Sequence, residues 1–130
     1  MSDVLARCAL GVIAVDLDSG EIDLDAPDTT FDAREPDTGL PLVTAAAQQG
    51  STLVAAVARK PPLVVSHDSG ATWREAGAGL PEIVSVAIAP DHPDTVVAAS
   101  TERLYVSHDG GRFWAALPVE LDGVTALAWP

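Results

Sequence analysis

Sulfur is nearly missing from this 130-residue chain, which has one cysteine, Cys8, and one methionine. A single cysteine makes no internal disulfide, so the fold is not a disulfide-stapled scaffold, and Cys8 reads as a small buried apolar residue. Basic residues are scarce too. Seven Lys plus Arg stand against nineteen Asp plus Glu, a formal net charge of −12. So acidic a chain repels phosphate backbones and anionic lipid surfaces, which excludes nucleic acid and membrane as partners. Large rings are few: two Phe, one Tyr and three Trp. A core built on aromatics is therefore excluded. No apolar run approaches the ~18 residues of a membrane-spanning helix. Residues 1–16 also lack the basic start and unbroken apolar stretch of a secretion signal. The expectation is a soluble, cytoplasmic protein.

What is abundant is small and apolar: 22 Ala and 15 Val in a chain that is 48% hydrophobic. This excludes disorder of the whole chain and suits thin, closely packed layers. The length allows one domain. Laying the chain on itself exposes a repeat. Residues 64–73 (Val-Val-Ser-His-Asp-Ser-Gly-Ala-Thr-Trp) align with residues 105–114 (Tyr-Val-Ser-His-Asp-Gly-Gly-Arg-Phe-Trp) at a constant offset of 41. A weaker copy, residues 15–20, keeps Asp18 and Gly20 but has no Trp after them. The flanks repeat as well: residues 43–47, 84–90 and 124–130 align, and so do residues 52–57 and 95–100.

Each flanking run is short, β-branched or small, and bounded by Gly, Pro or Asp, which is the signal of a strand. One unit therefore reads strand A, strand B, strand C, a tight Asp-Gly turn, and a short strand D beginning at the Trp. Four short antiparallel strands every ~40 residues is the signature of a propeller blade. Residues 3–25 supply strands B to D of blade one. Residues 26–40 form an Asp- and Pro-rich connection. Blade two covers residues 41–79 and blade three residues 80–121, and residues 123–129 are a lone strand A.

Ser66, Asp68, Gly70, Thr72 and Trp73 match every fixed position of the Asp-box pattern Ser-x-Asp-x-Gly-x-Thr-Trp. Ser107, Asp109, Gly111 and Trp114 match it with Phe113 in place of Thr. The chain thus resembles the Asp-box (BNR) repeat β-propellers, a superfamily that includes sialidases, sortilin-type receptors and photosystem II assembly factors. The resemblance implies an all-β propeller in which these boxes are structural. The residue types have a mechanical reason as well. Gly supplies the positive φ of a tight hairpin, Asp accepts turn amides, and Trp buries a broad apolar face.

Three blades do not close a ring, because single-ring propellers need about 4 to 8. The chain begins at strand B and finishes at strand A, and the two defects are complementary. The expectation is a homodimer in which strand A, through Val124, Leu127 and Trp129, completes blade one of a second chain. Two chains would then form a six-bladed ring.

Chemistry is less legible. Sialidase-like hydrolysis needs an arginine cluster, a Tyr nucleophile and acidic partners. Arg7, Arg34, Arg59, Arg74, Arg103 and Arg112 share no strand position, and Tyr105 sits where blade two has Val64. Asp16, Asp18, Asp23 and Asp25, with Asp28 and Asp32, are rich in oxygen but lack the EF-hand order, and read as turn carboxylates. His67 and His108 share a variable box position without the further ligands a metal needs, and His92 belongs to a turn. No metal or cofactor is expected. Propeller ligands meet the face formed by the B–C and D–A connections. Here that face carries Arg59, Lys60, Glu102 and Arg103, and the long connection adds Asp28, Asp32, Arg34 and Glu35. The expected function is a non-enzymatic scaffold or protein-interaction module, such as an accessory subunit or assembly factor. A carbohydrate-binding lectin is the alternative, and a vestigial sialidase-like glycosidase the third reading.

Overall fold

The computed structural model describes residues 3–9, 11–23 and 38–129. The described strands are β1 (Asp3–Cys8), β2 (Gly11–Asp16), β3 (Ile22–Asp23), β4 (Val43–Gln49), β5 (Thr52–Val57), β6 (Leu63–Ser66), β7 (Arg74–Ala76), β8 (Ser85–Ile88), β9 (Val96–Ala99), β10 (Arg103–Ser107), β11 (Ala115–Glu120) and β12 (Ala126–Ala128). They form three antiparallel four-stranded sheets, ordered β12-β1-β2-β3, β4-β5-β6-β7 and β8-β9-β10-β11. These are the blades of an all-β, propeller-like fold, here called one, two and three. No helix among the described residues is long and apolar enough to cross a membrane.

The sequence pattern of each strand follows its place in the blade. The second strands of blades two and three, β5 and β9, are buried at every residue. A strand covered on both faces reads as a continuous apolar run. The outer strand β11 alternates instead, and within it only Leu117 is fully buried.

Period-two alternation in β9 shows how the blades stack. Val96 and Ala98 point into a core shared with Val54, Ala56, Leu63 and Val65 of blade two. Val97 and Ala99 point the other way, into a core shared with Val4, Ala6, Ile13 and Val15 of blade one. Blade three therefore lies between its two neighbours. Ala6, Ala56, Ala98 and Ala99 are wholly inaccessible to solvent. Small side chains let these sheets approach closely, which explains a composition dominated by Ala and Val. On its other face blade two buries Ala46, Ala55, Val57 and Val64, with Leu40, Val43 and Trp73 against them. Among the described residues no strand of blade one runs alongside a strand of blade two. The three blades form an arc in the order two, three, one.

Polar contacts follow the same order. Thr44 Oγ1 donates to Ile83 O (3.4 Å) across the junction of blades two and three, and Arg74 Nη2 donates to Gly110 O (3.1 Å). At the junction of blades three and one, Leu127 N donates to Ser85 Oγ (3.2 Å).

The last strand corrects the expectation of strand exchange. β12 pairs with β1 of its own chain, Leu5 opposite Ala128, Ala6 opposite Leu127 and Arg7 opposite Ala126. Val124 and Leu127 are buried in the core between blades three and one, and Trp129 is half-buried against it. The cause is local. Leu121 N donates to Glu102 O (2.7 Å) and Val124 N to Thr101 O (2.9 Å), which carries the chain off blade three. Thr125 N then bonds Arg7 O and Ala9 N bonds Asp122 O, which seat the strand on β1.

Two substitutions test this packing. A Cβ on Gly20, at φ +75°, would lie 2.8 Å from Cδ of the rigid Pro118 ring in blade three. Gly20→Ala is expected to destabilise the fold by about 1–3 kcal/mol, read as a lower urea midpoint at unchanged m-value. Leu127→Asp places a carboxylate in an apolar core. It is expected to cost on the order of 3 kcal/mol or more in the same measurement.

Candidate functional site

The two ends of the blades differ in character. At one end lie the C–D turns, which carry the repeated Ser-x-Asp-x-Gly segments. Ser66 Oγ donates to Asp68 Oδ1 (2.7 Å) and accepts from Gly70 N (2.8 Å), while Asp68 Oδ1 accepts from Thr72 N (2.8 Å). The Thr72 hydroxyl donates to Asp68 Oδ2. Blade three repeats the arrangement. Ser107 Oγ donates to Asp109 Oδ1 (2.7 Å) and accepts from Gly111 N (2.9 Å), and Phe113 N donates to Asp109 Oδ1 (3.0 Å). Replacing Thr by Phe113 keeps the amide bond, removes the hydroxyl bond, and leaves a ring that is 80% exposed.

These bonds stabilise the charged carboxylates. The Thr72 hydroxyl and amide, with Ser66, hold Asp68 down at about 2. The Phe113 amide, then the Ser107 hydroxyl, lower Asp109. Blade one departs from the expectation that Asp18 is its box acid. Asp18 is exposed, and Asp16 accepts from Ser19 N (3.0 Å) and Asp18 N (2.7 Å), which lower its pKa in that order. Asp16 aligns with the serines of the other turns, and its carboxylate takes the amide two residues on, as their hydroxyls do, while the glycine amide four residues on goes to the Asp16 main-chain carbonyl instead.

The turns also join the blades. A Cβ on Gly111 would lie 3.1 Å from Val65 Cγ2 in blade two, and the half-buried Trp114 enters the core between blades two and three, its Nε1 donating to Gly111 O (2.9 Å). Trp73 packs on the opposite face of blade two. It also lines a cavity of about 310 Å³ with Val65, His67, Asp68, Thr72 and Arg74. His108 Nδ1 lies 3.4 Å from Thr95 Oγ1. Among the described residues no three His, Cys, Asp or Glu gather as metal ligands.

At the other end lie the B–C and D–A connections, and there the structure brings together four residues singled out from sequence. Arg59 and Lys60 line a cavity of about 290 Å³ with Val57, Ala58, Pro62, Leu80, Pro81 and Glu82. Glu102 and Arg103 line a second cavity of about 390 Å³ with Pro81, Glu82, Ser100, Thr101, Tyr105 and Glu120. Pro81 and Glu82 line both, so the two cavities adjoin between blades two and three, and the pair is here called the groove. Arg103 Nη2 is committed to Glu120 Oε1 at 3.0 Å. Ser100 Oγ accepts from Glu102 N (3.3 Å) and Arg103 N (3.1 Å), which holds that loop in shape.

Asp28, Asp32, Arg34 and Glu35, with Asp25, lie outside the described residues. Sequence reasoning missed Leu80, Glu82 and Glu120. The signal available for the first two was position alone: residues 77–84 are the D–A connection into blade three, on the same face as the B–C turns.

No family model matches the chain, and no curated protein matches it. Among solved structures the chain is similar to the GH74 enzyme of Niastella koreensis, with 22% identity and a TM-score of 0.51 over 92% of this chain. The chain spans 18% of the length of that protein. The likeness is one of fold, and agrees with three propeller-like blades.

The turn carboxylates set a pH dependence. A carboxyl whose folded pKa is depressed stabilises the fold above its unfolded pKa, and that stability is lost as pH falls through the folded value. For Asp68 the window runs from about pH 4 down to about pH 2. Asp68→Asn is expected to melt below wild type at pH 7, and the gap should close across that window in thermal scans.

Proposed function

We propose that this chain is a non-enzymatic β-propeller interaction module of the Asp-box kind, an accessory or assembly subunit that binds a protein partner on its B–C and D–A face. The observation that carries the reading is the pair of adjoining cavities that share Pro81 and Glu82, both with charged rims and the first with apolar walls. Loops displayed on a stacked sheet scaffold are the ordinary place for recognition. The C–D turns at the opposite end spend their polar groups on one another and on neighbouring blades, which suits a structural part. Capture of partners on immobilised protein tests the reading, with Arg59→Glu/Lys60→Glu as the comparison. Loss of the captured protein in the variant, at unchanged melting temperature, is expected. Equal capture by both proteins counts against the groove.

The ring belongs to the same proposal. The open arc of blades two, three and one is half of a six-bladed circle, and a second copy related by a two-fold axis would supply the other half. The hydroxyl pattern supports this. Thr44 and Ser85 occupy equivalent strand A positions and bond across the two junctions within the chain, and the third equivalent, Thr125, is exposed. Light scattering across a dilution series should give twice the 13.4 kDa chain mass. A mass of one chain at every concentration defeats the ring.

Carbohydrate binding is the second reading, favoured by the half-buried Trp73 lining a cavity beside His67, Asp68 and Arg74. A shift of Trp fluorescence on adding sugars, abolished in Trp73→Phe, would bring it forward. Glycoside hydrolysis stands third, supported by the GH74 likeness in fold.

A further inference from the structure

The groove has an electrical polarity that bulk composition hides. At the blade two end its rim carries Arg59 and Lys60, both exposed, above walls made of Val57, Pro62 and Leu80. Toward blade three the rim turns acidic. Glu82 stands at the junction of the two cavities, and Glu102 and Glu120 line the second. The cation among them, Arg103, is held by Glu120 at 3.0 Å. Two of the chain's seven basic residues are thus set at one end of a groove whose other end has a surplus of carboxylates.

We infer that the groove binds an extended polypeptide whose charges run acidic, apolar, basic across blades two to three. Carboxylates of the ligand face Arg59 and Lys60. An aliphatic side chain enters the cavity of about 290 Å³, which holds a Leu or Val with room for its backbone. A basic residue faces Glu82 and Glu102. Complementary charge fixes orientation and rejects wrong partners more than it adds affinity, while the buried apolar anchor supplies most of the binding. The inference rests on the reading of this face as an interaction surface.

The test uses three synthetic peptides of equal length around one Leu: acidic–Leu–basic, basic–Leu–basic and acidic–Leu–acidic. Binding is followed by fluorescence anisotropy near 0.15 M salt, where the Debye length is about 8 Å and long-range attraction is damped. A net charge of −12 alone favours the fully basic peptide, so composition and groove make opposite predictions. The mixed peptide is expected to bind at least about tenfold more tightly than either other. Arg59→Glu/Lys60→Glu should move the preference to the basic peptide, and Glu82→Lys/Glu102→Lys to the acidic one. All four positions are exposed or, for the loop, held by Ser100, so both variants should melt as wild type does.

Tightest binding of the basic peptide by wild type overturns the charge order and leaves bulk attraction as the cause. Equal binding of all three, abolished in the variants, also overturns the charge order but keeps this face as the interaction surface. A preference that neither variant alters overturns both. Absence of binding by every peptide overturns the inference, while partner capture decides the wider reading separately.

Discussion

Close approach between stacked sheets is the constraint on which this protein depends. Blade three is covered on both faces, and the strand at its heart, β9, sends Val96 and Ala98 one way and Val97 and Ala99 the other. Neither direction leaves room for large side chains, and Ala56 and Ala6 answer from the facing blades. The scarcity of aromatics is therefore a packing requirement. Trp114 is admitted at the rim of the layer, where its indole N–H finds a carbonyl.

Once the sheets are thin, their ends must be pinned by something other than core volume. The Ser-x-Asp-x-Gly turns do this with local bonds that satisfy hydroxyl, carboxylate and amides together. The turns also reach outward, as Gly111 does to Val65 and Gly20 to Pro118. Holding one end of the blades rigid leaves the connections at the other end free to vary in sequence. That division of labour separates a repeated, structural end from an irregular end where Arg59, Lys60, Glu82 and Glu102 gather.

The repeat made blades two and three legible in the sequence, because a motif whose bonds span four residues leaves its whole signature in those residues. The partner of β12 was not legible. The pattern of residues 124–129 specifies a strand A that needs a strand B, and β1 of this chain and β1 of a second copy are the same sequence. In the structure the approach of β12 to its own β1 runs through the backbone bonds of Leu121 and Val124 to blade three, which no side-chain pattern encodes. Asp16 was misread for a related reason. A carboxylate can stand in for a serine hydroxyl as an acceptor, so alignment by residue type favoured Asp18. Of the groove, Arg59, Lys60 and Glu102 were visible because they lie in B–C turns between clear strands, and Arg103 because it opens the strand that follows such a turn. Glu82 and Glu120 were not, since the first sits in a connection without a motif and the second at the end of an alternating outer strand.

The pairing of β12 with β1 bears on how the chain is made. Strands β1 to β3 leave the ribosome before the other described strands, yet their sheet lacks an inner strand until β12 follows more than a hundred residues later. Blades two and three are built from neighbouring strands and need no such wait. Of the three described blades, the one whose strands begin earliest in the sequence is thus completed last. In the interval it carries an apolar edge, in Val4, Leu5 and Ala6, of the sort that invites pairing with another molecule. The long sequence separation of that closing contact also makes it a slow step to find.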